Sequence, residues 1–240
     1  MNIFLSFSGE GRQKFGMKFL DFFNSHGIKC WYDQHELYLG DILVDTITKD
    51  GLDKTEYAIL IINNSFLARE WPRTEAKILY ERAIHKENVI LFPLLWNVTK
   101  EQVLNSDIPF VLDYKYQFIN EETPLEVVSY QVMNRIFHDI IKRNFNSSTI
   151  EDIKKHSQNL SLPKGLDVFN CLNILSQVSP LSYDVQATIL IVTIKLLNQN
   201  KYERLIEKLS YRLYDRKLIN FDMCKILESI LIICYFSYVN

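Results

Sequence analysis

Two runs of the sequence are almost wholly apolar, and each has the length of a single β-strand. They are Tyr57–Ile62 and Val89–Leu95. Strands that are buried on both faces have this composition, and such strands are typical of parallel sheets flanked by helices. We therefore expect both runs to be inner strands of a parallel sheet.

The pattern on either side of the first run also alternates between strand and helix. A short apolar strand ends at Phe7 before a glycine-rich turn, and Phe15, Phe19 and Phe23 then recur at helical spacing. Strand and helix alternate about five times up to residue 143, which predicts a doubly wound parallel sheet with helices on both faces. Ligands of such sheets bind at the carboxyl ends of the strands. The loops after Phe7, Trp31 and Ile62 are therefore the candidate site.

The sequence changes in character after Arg143. Residues 144–165 are polar and are predicted to form a linker with one short helix. Residues 166–240 show helical periodicity and no clear strand, which predicts a small all-α domain of about four helices. The predicted organisation is therefore an α/β domain at 1–143, a linker at 144–165 and a helical domain at 166–240.

The composition excludes several functional classes. The formal net charge is −2, so there is no general basic field for nucleic acid or an anionic membrane. The four cysteines form no C-x-x-C pair, and the five histidines show no metal-ligand spacing. The beginning of the chain has no signal-peptide pattern, and no apolar run is long enough to span a bilayer. We expect a cytoplasmic protein that carries no metal.

Several segments of the first 143 residues match one family in order and spacing. The first strand is Ile3–Ser8, the second is Cys30–Asp33 with Glu36, Leu37 and Gly40 after it, and Trp71–Glu75 forms a W-x-x-x-E motif. Together they resemble the Toll/interleukin-1 receptor (TIR) domain. Asn63 and Arg69 depart from the family, which often has serines at these positions around its third loop.

The resemblance implies a flavodoxin-like, five-stranded parallel sheet and one of two functions. Many TIR domains are interaction modules, whereas others cleave the bond between nicotinamide and ribose in NAD⁺. By resemblance, Glu75 is the catalytic residue, and NAD⁺ is a substrate that needs no further cofactor. The implied substrate-binding residues are Phe7, Ser8, Asp33 and Trp71, and the implied TIR–TIR interface residues are Leu37 and Gly40.

A single glutamate suits this chemistry. Loss of nicotinamide builds positive charge on the ribose, as in glycoside hydrolysis, and a carboxylate stabilises that charge. The leaving group departs neutral and needs no strong general acid. The structural alternative is that Trp71 anchors the core while Glu75 is a solvated helix residue. Arg12, near a helix start, is either a phosphate ligand or a surface residue.

Three functions remain open at the level of sequence. The leading one is an NAD⁺-cleaving enzyme that releases ADP-ribose or a cyclic or conjugated form of it. The resemblance to bacterial TIR proteins suggests that such an enzyme acts in anti-phage immunity, with a trigger or partner bound by the helical domain. The second is a non-catalytic adaptor or mimic that signals by TIR–TIR contact. The third is a nucleotide-signal receptor with its ligand in the helical tail.

Overall fold

The computed structural model describes residues 3–32, 52–85, 89–158, 163–178, 182–198 and 200–239. Contacts between residues divide the chain into two compact units, Met1–Ser129 and Tyr130–Asn240. This division falls inside one long helix, Leu125–Asn144, and the sequence analysis places the end of the α/β domain near the end of the same helix, at residue 143.

The first unit contains a five-stranded sheet in which every strand runs parallel to its neighbours. The strands lie in the order β2-β1-β3-β4-β5, so β2 is on one side of β1 and the later strands are on the other. This confirms the predicted fold class. Its switch in strand order, where ligands bind in such folds, lies between β1 and β3. The strands are β1 Ile3–Phe7, β2 Cys30–Trp31, β3 Tyr57–Ile62, β4 Ile90–Trp96 and β5 Gln117–Ile119.

Helices cover both faces of this sheet. A π-helical turn at Arg12–Gly16 leads into α1, Met17–Ser25, which buries Phe19 and Phe23. Gly27 follows with a φ of 76°, the left-handed conformation in which helices commonly end. The other helices of the unit are α2 Asn64–Ala68, α3 Glu70–Ile84, α4 Lys100–Leu104 and the start of α5, Leu125–Asn144, with a 3₁₀ turn at Pro109–Asp113.

Helix α3 packs on the face opposite α1. Its buried side chains are Pro72, Glu75, Ala76 and Leu79, which recur at three-, four- and seven-residue intervals along one stripe. Ala76 and Leu79 share a core cluster with Phe4 of β1 and with apolar residues of β3. A carboxylate thus lies in the middle of an otherwise apolar, sheet-facing stripe.

Every regular secondary-structure element described in the second unit is a helix. Beyond α5 its helices are α6 Ile150–Gln158, α7 Pro163–Gln177, α8 Tyr183–Leu196, α9 Glu203–Tyr214 and α10 Phe221–Val239. Helix α10 is buried on nearly all sides, which makes it the core helix of the unit, and it packs against α6 and α8. The segment predicted as a linker contains all of α6. Among the described helices, none combines the length and the apolar composition that crossing a lipid bilayer requires.

Candidate active site

The carboxyl ends of β1 and β3 are held together by a group of polar side chains. Ser8 follows β1 and Asn63 follows β3, and both are buried. The Asn63 side-chain amide donates to the Ser8 carbonyl at 3.3 Å, while its oxygen accepts from the Phe66 amide at 2.8 Å and so caps α2. The hydroxyls of Ser8 and Ser65 lie 3.2 Å apart. These contacts fix the backbone at the point where ligands bind in folds of this kind.

Gly9 permits this close approach. Its φ is 56°, a conformation that side chains with a Cβ rarely adopt. A Cβ at this position would also lie 2.6 Å from the Ser65 hydroxyl oxygen and 2.9 Å from the Ser65 Cβ. The loop after β1 therefore needs glycine both for its backbone angle and for the space that Ser65 occupies.

Glu75 is buried, with 3% of its surface exposed, and it faces β1. The Ser6 hydroxyl donates a 2.5 Å hydrogen bond to the Glu75 carboxylate oxygen Oε2. Ser6 is itself only 1% exposed and is the penultimate residue of β1. A buried carboxylate is costly unless it is hydrogen-bonded, and Ser6 provides one of its bonds. The structure thus excludes the solvated-residue alternative for Glu75 and places the carboxylate near the carboxyl end of the strand.

Trp71 lies one helical turn before Glu75 on α3 and packs, half-buried, against the core cluster. Its indole Nε1 is buried, and it has no hydrogen-bond partner within the described part of the chain. Most buried N–H groups in native proteins are bonded, so an unpaired one needs a physical reason. A ligand that accepts a hydrogen bond would supply that reason.

Phe7 lies on the other face of the sheet. Neighbouring residues of a strand point to opposite faces, so Phe7 faces away from Ser6 and Glu75. Its ring is 5.6 Å, centroid to centroid, from that of Tyr32, and a Cβ on Gly16 would lie 2.5 Å from it. Arg12 is nearby, with its guanidinium carbon 5.9 Å from the centre of the Tyr32 ring. The structure thus separates Phe7 from the Glu75 side of the sheet.

The remaining predicted site residues are Asp33, Leu37 and Gly40, which lie outside the described residues. Two site residues were missed at the sequence level, Ser6 and Ser65. Ser6 had a usable signal, because it lies two residues before Ser8 and hence on the same side of a strand. Across the described ranges, no group of three or more histidine, cysteine, aspartate or glutamate residues could hold a metal ion.

Comparison with known proteins gives relatives for the first unit. NAD(+) hydrolase TcpC of Escherichia coli O6:H1 is 32% identical over 102 residues, which cover 42% of this chain and 33% of that protein. NAD(+) hydrolase TcpA of a Theionarchaea archaeon is 31% identical over 102 residues, covering 42% and 30%. The 2' cyclic ADP-D-ribose synthase BtTIR of Bacteroides thetaiotaomicron is 31% identical over 103 residues, covering 43% and 35%. The chain thus spans about a third of the length of these curated relatives.

A solved structure and a family model also match the chain. The TIR domains of the activated Roq1 resistosome match with 22% identity and a TM-score of 0.39, covering 46% of this chain and 66% of that one. The family model described as "TIR domain" matches residues 3–122, which is half of the chain. With its parallel sheet, its strand order and its W-x-x-x-E motif on α3, the chain belongs to the TIR domain family.

Proposed function

We propose that this protein is an NAD⁺ nucleosidase that cleaves the bond between nicotinamide and ribose, with Glu75 as the catalytic residue. One observation carries the proposal. Glu75 is a buried carboxylate, bonded to β1 one residue before the end of that strand. The names of the relatives, NAD(+) hydrolases and a cyclic ADP-ribose synthase, support the same reaction class.

The reaction begins with departure of neutral nicotinamide from the ribose C1′ carbon. The electron pair of the C–N bond leaves with the nicotinamide nitrogen, and the ribose becomes an oxocarbenium-like cation. Water then attacks C1′ and loses a proton, so NAD⁺ and water give nicotinamide, ADP-ribose and H⁺. If a hydroxyl of the same ADP-ribose attacks instead, the product is cyclic. In both routes the Glu75 carboxylate stabilises the cation and accepts hydrogen bonds from ribose hydroxyls.

Burial makes this carboxylate effective. A charge that is held away from water interacts with a developing opposite charge more strongly than a hydrated one does. The hydrogen bond from Ser6 fixes one carboxylate oxygen, so the group does not have to reorganise as the ribose becomes positive. We assign Ser6 the role of a positioning residue, because it acts on the substrate only through Glu75.

Two further side chains are proposed to contact the substrate. The Trp71 indole N–H is buried and has no partner in the described ranges, which supports a hydrogen bond from it to a substrate oxygen in the complex. Ser8 lies at the turn after β1 beside Ser65 and would line the same edge of the sheet. Phe7 lies beside Tyr32 and Gly16 on the other face of the sheet, and its contact with nicotinamide stays a prediction.

Mass spectrometry of the products tests this function. The full chain is concentrated to favour assembly and incubated with NAD⁺. The expected products are nicotinamide and a molecule with the mass of ADP-ribose, or of its cyclic form, which has one water less. If Glu75→Ala releases nicotinamide as fast as the wild type, Glu75 is not catalytic. If the wild type leaves NAD⁺ intact in its assembled state, the enzymatic function is wrong and the adaptor function takes its place.

We also propose the setting in which this enzyme works. The family resemblance supports self-association through the segment that contains Leu37 and Gly40, and a cytoplasmic role in anti-phage defence. In that role the helical unit would receive the trigger or bind a partner. Substitution of Leu37 by aspartate, followed by analytical ultracentrifugation, tests the self-association. An unchanged distribution of oligomers would contradict it.

A further inference from the structure

The helical unit contains a cavity of about 650 Å³. Its walls come from α5, the start of α6 with the turn before it, and helices α7, α8 and α10, all of which belong to the second unit. Small-molecule sites in proteins have volumes of roughly 300 to 1,000 Å³ and often lie between the helices of a bundle. The cavity therefore has the size of a ligand site.

The lining of the cavity is polar on some walls and apolar on others. Leu172, Leu175 and Ile232 give it apolar surface on α7 and α10. Asn134, Gln186 and Ser229 bring polar groups from three other positions on the wall. A gap left by imperfect packing of a helical core would be lined by apolar groups and would stay empty. The walls of this cavity instead carry polar groups that can bind polar contents.

Ser229 gives the most specific indication of a ligand. It lies on the core helix α10, it is 93% buried given its exposed fraction of 7%, and it lines the cavity. Three other helical serines of this unit, Ser157, Ser176 and Ser210, bond their hydroxyls to a preceding carbonyl, at 2.7 Å between Ser210 and Ile206. In the described part of the chain the Ser229 hydroxyl forms no such bond. A polar group in this position is satisfied only by something in the cavity.

The charged side chains of the lining indicate which chemical groups a ligand of this cavity would carry. His138 and Lys142 are one turn apart on α5, and Lys142 forms no salt bridge with any described residue. On α10, Lys225 is paired with Glu228 at 2.6 Å. Glu151, at the start of α6, adds a second carboxylate to the lining, so the lysines and glutamates of the wall balance in charge. The lysine without a salt bridge to a described residue is therefore Lys142 on α5, and Glu228 lines the cavity beside Ser229. A lysine suits a phosphate, and a carboxylate beside a hydroxyl suits the hydroxyls of a ribose.

We infer that this cavity is a binding site for a nucleotide. Its base would lie against Leu172, Leu175 and Ile232, its ribose hydroxyls would bond Glu228 and Ser229, and its phosphate would bond Lys142. The site does not depend on the enzymatic function of the TIR unit. It gives the helical unit a role as a receptor for a small molecule.

Isothermal titration calorimetry with AMP and with adenosine tests the site. All titrations use the full chain carrying Glu75→Gln, so a failure of the proposed enzymatic function does not affect the result. The expected result is that AMP binds to one site. Lys142→Glu should weaken the binding of AMP by roughly 10-fold or more, which is the effect of losing one charge-assisted hydrogen bond. It should leave the affinity for adenosine unchanged, because adenosine has no phosphate.

Ser229→Leu fills the cavity and should abolish the binding of both ligands. Lys208→Glu is the matched control, because Lys208 is an exposed lysine of α9 outside the cavity and its reversal should change neither affinity. Lys142 is exposed, so its variant should fold even if Ser229→Leu does not. The site is refuted if AMP gives no heat of binding at millimolar concentration. It is also refuted if AMP affinity is the same in Lys142→Glu, Ser229→Leu and the control.

Discussion

The hydrogen bond between Ser6 and Glu75 gives the sharpest prediction about the active site. Both residues are buried, at 1% and 3% exposure, and the bond is 2.5 Å long. A hydrogen bond to a charged group contributes about 1.5–3 kcal/mol. One factor of ten in rate corresponds to about 1.36 kcal/mol. If Ser6 positions the carboxylate for the transition state, Ser6→Ala should lower kcat by roughly 10- to 150-fold.

The same change should destabilise the folded protein. The alanine removes a donor and leaves a buried carboxylate with one partner fewer, which costs about 1–3 kcal/mol in the free energy of unfolding. Urea unfolding, followed by circular dichroism, measures this cost. Ser25→Ala is the matched control, because Ser25 is exposed and its hydroxyl bonds only local groups at the end of α1. Its effect should stay within about 0.5 kcal/mol.

A double-mutant cycle separates positioning from general damage to the fold. In the Glu75→Gln background the carboxylate charge is already absent, so Ser6→Ala should lower kcat by a much smaller factor than it does in the wild type. The kinetic assay is the initial rate of nicotinamide release at several NAD⁺ concentrations, and kcat should fall while KM changes by less than about 3-fold. Wild-type kcat in Ser6→Ala, or equal costs in both backgrounds, would refute the reasoning.

Three further predictions concern other parts of the chain. Gly9→Ala should lower the free energy of unfolding by about 1–3 kcal/mol in urea titrations, through backbone strain and the steric clash at the end of β1; unchanged stability would contradict the turn geometry. Burial raises the pKa of Cys224 to about 12 and that of Cys234 to about 11, so both thiols should resist iodoacetamide at pH 8 until the protein unfolds; rapid labelling of the native chain, seen by peptide mass spectrometry, would contradict this. Thr149→Ala should destabilise the helical unit by about 1 kcal/mol in thermal unfolding, because Thr149 caps α6. Hydrogen bonds from Thr149 lower the pKa of the Asp152 carboxyl in the folded protein. The stability that these bonds contribute is therefore present above the unfolded pKa of about 3.9 and is lost as the pH falls through the lower, folded pKa. If Thr149→Ala costs as much stability at low pH as at neutral pH, the hydrogen bond between Thr149 and the Asp152 carboxylate is not formed.

The inner strands could be predicted because they are buried on both faces, so each appears in the sequence as a run of consecutive apolar residues. Every residue of β3 is buried, and an unbroken apolar run as short as Tyr57–Ile62 is typical of a strand covered on both faces. The edge strand β5, Gln117–Ile119, does not form such an apolar run. It is three residues long, two of them are exposed, and Phe118 is 55% exposed. Edge strands of this length are defined by their pairing partner rather than by their own composition.

The active-site contacts were only partly predictable for a similar reason. The spacing of Trp71 and Glu75 indicated that they share one side of a helix, and the structure places that helix against the sheet. Ser6 and Glu75 are 69 residues apart in sequence, so no local pattern could show that these two side chains are bonded to each other. Glutamate is also a common surface residue, and only tertiary packing distinguishes a buried one.

In the helical region, local patterns indicate a helix but not its packing partners. The sequence predicts a linker with one short helix at 144–165, and α6 occupies Ile150–Gln158 within that segment and packs against α7 and α10. This polar helix buries Ile153 and Ser157, which are four residues apart and therefore on one side of the helix. Its contacts with other helices stabilise it, and those contacts are not visible in composition.

The central claim is that one buried carboxylate carries out the cleavage of NAD⁺. The most direct test is the rate of nicotinamide release, by chromatography, from the wild type, Glu75→Gln and Glu70→Gln, all at the same high concentration. Glu70 is an exposed glutamate on the same helix, so its change controls for loss of charge. We predict that Glu75→Gln is slower by about 10²-fold or more, as for loss of a transition-state stabiliser, while Glu70→Gln keeps the wild-type rate. Equal rates in all three proteins would contradict the claim.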